Sequence, residues 1–236
     1  MSPLDVFSLG PDGWGGAMLG ACLMTLAVTL TAVMIGAAIG TSMAAARLSG
    51  SRVLRMISGT YNAVLRGVPD LLVIYLVYFG GSTLITYAAN ALGMSGFAGM
   101  PSFLAGALAV GLISGAYQAE VYRAAYLAVP RGQVEAAKAV GMSGSLRLQR
   151  IIVPLTLRHA LPGLGNVWQI ALKESALVSV TGLIELLRIA QIGAGSTHEP
   201  FLFYMSAGAL YLVLTTLSTM VFRRLETRAD LSVRRA

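Results

Sequence analysis

Residues 13–46 read GWGGAMLGACLMTLAVTLTAVMIGAAIGTSMAAA, a stretch without one Asp, Glu, Lys or Arg. A helix needs about 20 apolar residues to cross the hydrocarbon of a bilayer, and this stretch exceeds that length. A helix of a soluble core would show one apolar face and one polar face, and this one shows none that is charged. Charge is absent again from Leu71 to Ala119 and from Pro200 to Phe222. Of the 236 residues 56% are hydrophobic and 11% charged, too few charges to cover a water-facing surface. The chain reads as an all-α membrane protein, a single transmembrane domain over 1–236. About five spans are expected, roughly 16–46, 54–80, 102–127, 158–183 and 200–222.

The charges that remain give an orientation. Arg47, Arg52 and Arg55 follow the first span, Arg123 to Arg158 bracket a long connector, and Arg223, Arg224, Arg228, Arg234 and Arg235 form the tail. Gly80 to Pro101 has no basic residue, and the last external loop has only Arg188. Basic connectors mark the cytoplasmic side, so the N-terminus is expected in the periplasm and the C-terminus in the cytoplasm of a multi-pass bacterial inner-membrane protein. The net charge of +7 is then a topology signal, and no nucleic-acid partner is expected. The first 16 residues carry Asp5 and Asp12 and no Lys or Arg, so the first span is not expected to be a cleaved signal. Cys22 is the only cysteine, and His159 and His198 fall at opposite ends of the spans, so no metal site is expected.

Arg66-Gly67-Val68-Pro69-Asp70 interrupts the second span. Pro69 removes a backbone donor and obstructs the preceding turn, which predicts a kink or break. Two readings of Arg66 stay open: lining a watery cavity, or snorkelling to the interface. Gly36-Ala37-Ala38-Ile39-Gly40 and Gly106 to Gly111 supply small residues that let helices approach closely in lipid. Gly93 to Pro101 reads as a loop.

The connector between the third and fourth spans, 128–157, reads as a helical hairpin. Val129-Pro130-Arg131-Gly132-Gln133 forms a turn, Val134 to Val140 is a short helix capped by Gly141, and Ser143 or Ser145 caps a second helix through Ile152. From these residues alone, a docking element and a solvated basic loop both remain open.

Glu135-Ala136-Ala137, then Gly141 after three residues, then Ile151-Ile152-Val153-Pro154 after nine more, resembles the EAA loop of binding-protein-dependent ABC permeases. That pattern is EAA, three residues, G, nine residues, I-x-L-P, and only Val153 departs from it. Arg66 to Leu71, Gly115-Ala116-Tyr117, Glu120 with Arg123, Pro130 to Gln133, Ala160 to Gln169, Leu172 to Ser179 and Gly195 to Phe201 extend the likeness. They are similar to the polar amino acid permeases, and most to the Q-type subunits of the histidine/arginine/lysine/ornithine and opine importers.

The resemblance implies a type I ABC importer permease fold. It also implies an ATPase contact at Glu135, Ala136, Ala137, Gly141, Ile151 and Pro154. The implied partners are ABC ATPase subunits, a second permease subunit (an M-type paralogue, or a second copy of this chain), a periplasmic amino-acid-binding protein and membrane lipid. No cofactor is expected on this chain, since ATP and Mg belong to the ATPase. Its only lysines, Lys138 and Lys173, follow Ala137 and Leu172, not the glycine of a phosphate loop.

Lys173-Glu174 places charge at membrane depth, where charges face a cavity, a partner or one another. Glu174 is therefore expected to line the path and attract the ammonium or guanidinium of a cationic amino acid, with Asp70 second and Asn166, Trp168 and Gln169 as polar lining. Pairing of Glu174 with Lys173 or Arg66, and plain helix packing for the amides, stay open beside it. So does another small polar solute. Gly111-Leu112-Ile113-Ser114-Gly115 resembles the serine segment of intramembrane proteases, but neither histidine is placed to serve as its base. A membrane scaffold that moves no solute is the remaining rival.

Overall fold

A computed structural model describes residues 6–10, 13–93, 96 and 99–234, with side chains to 229. Asp5, Asp12, Arg235 and the middle of the Gly93–Pro101 stretch lie outside the described residues, as does the side chain of Arg234.

The helices are α1 (Gly15–Leu48), α2 (Arg52–Gly67), α3 (Asp70–Ala91), α4 (Ser102–Leu127), α5 (Arg131–Ala139), α6 (Gly144–Arg147), α7 (Val153–Glu174), α8 (Leu186–Thr197) and α9 (Pro200–Arg234). A π-helical turn, Leu148–Ile152, joins α6 to α7, and a 3-10 helix, Ser175–Thr181, continues α7. Among the described residues, four helices are long and apolar enough to cross a membrane. There are five if Gly144–Thr181 and Leu186–Thr197, which meet at 51°, form one bent span. Leu23, Met34, Leu76, Phe79, Leu84, Phe201, Leu212 and Leu217 stay exposed on the outside of the bundle, as an apolar solvent requires.

At the centre stands α4, whose Ala105, Ala107, Ala109, Ile113 and Ala116 are wholly buried. It packs on α1 where both are smallest. A Cβ added to Gly40 would lie 3.0 Å from the Gly115 carbonyl oxygen and 3.1 Å from the Ala119 nitrogen, both backbone. Gln118 fastens the seam, its Nε2 donating to Val33 O and to Ser114 Oγ at 3.0 Å, while Tyr122 Oη donates to its Oε1 at 2.9 Å. Ser114 is buried here, its Oγ accepting from Gln118 Nε2, and His159 and His198 are exposed. Gly40→Val should overpack the α1–α4 seam and cost about 1–3 kcal/mol. The readout is a lower thermal midpoint for the detergent-solubilised subunit.

The expected break in the second span falls at Val68–Pro69, between α2 and α3. Against the expected end near residue 80, α3 runs on to Ala91. Its hydroxyls return to their own helix, with Ser82 Oγ donating to Tyr78 O at 2.7 Å and Thr83 Oγ1 to Phe79 O at 2.9 Å, so polar residues do not end it. The segment α2 leans on α4, where Tyr61 Oη donates to Leu112 O at 2.6 Å and Asn62 Nδ2 to Glu120 Oε1 at 3.4 Å. Glu120 also pairs with Arg123 at 2.9 Å.

Three further boundaries differ from the expectation. The fourth span begins earlier, because α6 and the π turn lead into α7 without a gap. Pro154 lacks an N–H and its ring would crowd a carbonyl one turn back, and a widened turn at that point relieves both. The last span continues to Arg234, no breaker lying between Phe222 and that residue. The loop expected before Pro200 contains α8, a 12-residue helix.

Candidate functional site

Two carboxylates meet where two helices break. Asp70 is the first residue of α3, directly after Pro69, and Glu174 is the last residue of α7, directly before the helix tightens into 3-10 geometry. Glu174 is 8% exposed, Asp70 is half-buried, and the two carboxyl groups lie near enough to act on one another electrostatically. Glu174 Oε2 is buried with no donor among the described residues. Neither carboxylate makes an ion pair among those residues. Lys173 is exposed, and Arg66 lies over the Tyr117 ring at 5.3 Å. Two carboxyl groups that close, out of water, need a positive charge or a proton between them.

The amides of α7 lie elsewhere. Gln169 Nε2 donates to Thr219 Oγ1 at 2.7 Å and to Thr215 O at 3.3 Å, both on α9. Asn166 joins Gln169, Pro162 and Phe222 around a cavity of about 220 Å³. Five residues along a helix turn Gln169 roughly 140° away from Glu174. Trp168 Nε1 is buried without an acceptor, its ring 6.3 Å from that of Phe222. Asp70 and Glu174 thus form one cluster, and Asn166, Trp168 and Gln169 another.

At the end of the bundle that carries the arginine-rich connectors, α5 presents Glu135 and Ala136 to the outside and buries Ala137. Gly141 ends it with φ +77°. Met142 N donates to Ala137 O and Gly141 N to Lys138 O, each at 3.0 Å, the reciprocal pair of a Schellman cap. Ser143 Oγ then accepts from Leu146 N at 3.4 Å to start α6. Beside Glu135 a groove of about 360 Å³ is lined by Arg131, Val134, Lys138, Tyr126, Leu127 and Ile152. Ile151 is half-buried and Pro154 exposed, at the π turn and the start of α7.

A third carboxylate escaped the sequence reading. Glu185 is wholly buried and caps α8, its Oε1 accepting from Arg188 N at 2.8 Å and its Oε2 from Leu187 N at 2.9 Å and from Tyr211 Oη at 3.0 Å. The available signal was an acidic residue ahead of a short amphipathic run, and glutamate is not among the favoured caps.

A bundle of helices long and apolar enough to span a membrane, with a capped helical hairpin at one end, defines a multi-pass membrane protein. The chain belongs to the family of binding-protein-dependent transport system inner membrane components, which it matches over residues 36–230. It is 53% identical over 225 residues to the octopine transport system permease protein of Rhizobium radiobacter, covering 95% of each chain. It is 39% identical over 224 residues to the histidine/lysine/arginine/ornithine transport system permease protein of Salmonella typhimurium, covering 95% of this chain and 98% of the other. A solved amino acid ABC transporter superposes with a TM-score of 0.76 at 33% identity, over 91% of this chain and 95% of that one. The protein is a multi-pass inner-membrane permease subunit of type I ABC importer fold, a class that works with ATPase and binding-protein partners.

Proposed function

We propose that this permease carries a cationic amino acid, or an opine bearing a cationic group, into the cytoplasm, and that Asp70 and Glu174 receive the positive charge on the way. The observation that carries the reading is the acidic pair at the breaks of two spans: Glu174 is buried with one oxygen unserved, and neither carboxylate makes an ion pair among the described residues. Relatives whose names specify octopine and histidine/lysine/arginine/ornithine transport support it. In this reading the basic end is cytoplasmic, and the 128–157 connector is the coupling loop. Glu135 and Ala136 meet the ATPase, Ala137 and Gly141 hold α5 in place for that contact, and Ile151 and Pro154 form its base. ATP and Mg are bound by the ATPase, and closure of its dimer turns the path outward. A second permease subunit, an M-type paralogue or a second copy, completes the path, and a periplasmic amino-acid-binding protein delivers the substrate.

The test is uptake by the reconstituted complex, with binding protein present, of labelled arginine, glutamine and glutamate. Arginine should be taken up in an ATP-dependent manner and the other two at least tenfold less well. Preferred uptake of glutamine or glutamate would overturn the cationic assignment.

A further inference from the structure

The amides that stand apart from the acidic pair belong to a polar cavity of their own. On α7, Pro162, Asn166 and Gln169 share one helix face, and on α9 Thr219, Arg223 and Glu226 repeat the same spacing. The cavity of about 220 Å³ lies between these two faces. Its end toward the membrane centre is shut: Gln169 Nε2 donates to Thr219 Oγ1 at 2.7 Å, and a Cβ on Gly165 would meet the Phe222 ring at 3.3 Å. Its other end carries the charges, a half-buried Glu226 and an exposed Arg223, where α9 leaves its apolar run. Opposite charges three residues apart on a helix ordinarily pair, yet neither of these makes an ion pair among the described residues.

The space is smaller than the roughly 300–1,000 Å³ of sites for drug-sized ligands, and so suits a small solute. Arg223 offers charge-assisted donors to a carboxylate, and Glu226 acceptors to an ammonium. Their Cβ atoms stand about 5–6 Å apart at this helical spacing, so one ligand reaches both if its two charges are close together. A free α-amino acid carries that pair of charges on one carbon. Asn166, exposed on the facing helix, brings both a donor and an acceptor to the same head group. A bound head group therefore ties α7 to α9 beside Pro162, the proline within α7 at which that helix can bend.

We propose that this cavity is a second solute site, open to the cytoplasm, for the head group of a free α-amino acid: Arg223 takes the carboxylate, Glu226 the ammonium, and Asn166 the remaining bonds. Occupancy restrains α7 and slows import. The proposal rests on the reading of the arginine-rich end as cytoplasmic, and not on the charge of the cargo. The test uses the complex in sealed vesicles and follows import of whichever of labelled arginine, glutamine and glutamate it carries. Millimolar glutamine, or γ-aminobutyramide, which is glutamine without its α-carboxylate, is added on the ATPase side. Glutamine should slow import about fivefold and γ-aminobutyramide should leave it unchanged. Arg223→Gln and Glu226→Gln should each abolish the slowing, with the unslowed rate within about twofold of wild type. No slowing by glutamine overturns the proposal, as does equal slowing by γ-aminobutyramide or slowing that persists in both variants. The wild-type comparison stands if a variant does not assemble, and a failure of the cationic reading changes only the cargo followed. Placement is read separately, by labelling Thr227→Cys from the ATPase side with a thiol reagent that does not cross the bilayer. Labelling from the opposite side alone overturns the cytoplasmic placement and this site with it.

Discussion

Replacing Glu174 by Gln is expected to raise the KM for arginine uptake roughly thirtyfold or more. Losing one charge of a desolvated pair costs about 2–5 kcal/mol, and each 1.4 kcal/mol is about a factor of ten. The same substitution should leave the thermal midpoint of the substrate-free complex unchanged, because the Glu174 carboxyl has no ion-pair partner among the described residues to lose. A large loss of uptake affinity without a loss of stability is what makes the experiment decisive. Were Glu174 the partner of Lys173 or Arg66, its neutralisation would destabilise the bundle and leave KM alone. The half-buried Asp70, as Asn, should show the same pattern with a smaller amplitude. Uptake kinetics and differential scanning fluorimetry on one preparation suffice.

Gly141→Val should abolish productive contact with the ATPase, with uptake reduced more than tenfold and less ATPase recovered on purification. A Cβ at Gly141 would meet nothing within 4 Å, so bulk is not the obstacle. The obstacle is φ +77°, a conformation that costs an ordinary L-residue roughly 1–2 kcal/mol and a β-branched one more. Relief of that strain would break the bonds from Met142 N and Gly141 N and release the last turn of α5, on which Ala137 is buried. Gly141→Asn tolerates the left-handed region and should retain uptake. Equal activity in the Val and Asn variants would show that the cap is dispensable.

The spans that lie in charge-free runs were legible from residues alone. The third span was placed at 102–127, where α4 stands, because a basic connector and a proline bound it. The break at Pro69 was legible for a local reason, the missing donor. The end of α3 was not, since Ser82, Thr83 and Thr86 interrupt the apolar run, and only the structure shows their hydroxyls closing on the helix itself. Helix α8 was hidden by its length, too short for a span and flanked by residues typical of loops.

For the site, local sequence named the right kind of residue without saying which ones meet. Glu174 and Asp70 are more than a hundred positions apart, and only the packing of α3 against the 3-10 helix that follows α7 brings them near one another. Gln169 was an equally good candidate from its chemistry, and Thr219 on α9 takes its amide. Gly141 was legible because a glycine cap depends on its own few neighbours. Glu185 and Tyr211 were not, since a buried tie between elements leaves no mark on any one of them.

The unbroken winding from Gly144 through the π turn to Glu174 makes a lever of the fourth span. Its arm from Val153 to Glu174 is 22 residues, about 33 Å. A tilt of 10° imposed at the α6 end would carry the far carboxylate on the order of 6 Å, further than the reach of a hydrogen bond. Pro162 is the soft point along that arm. A small movement at one face of the membrane thus becomes the making or losing of an ionic contact deep inside it, with no other moving part required.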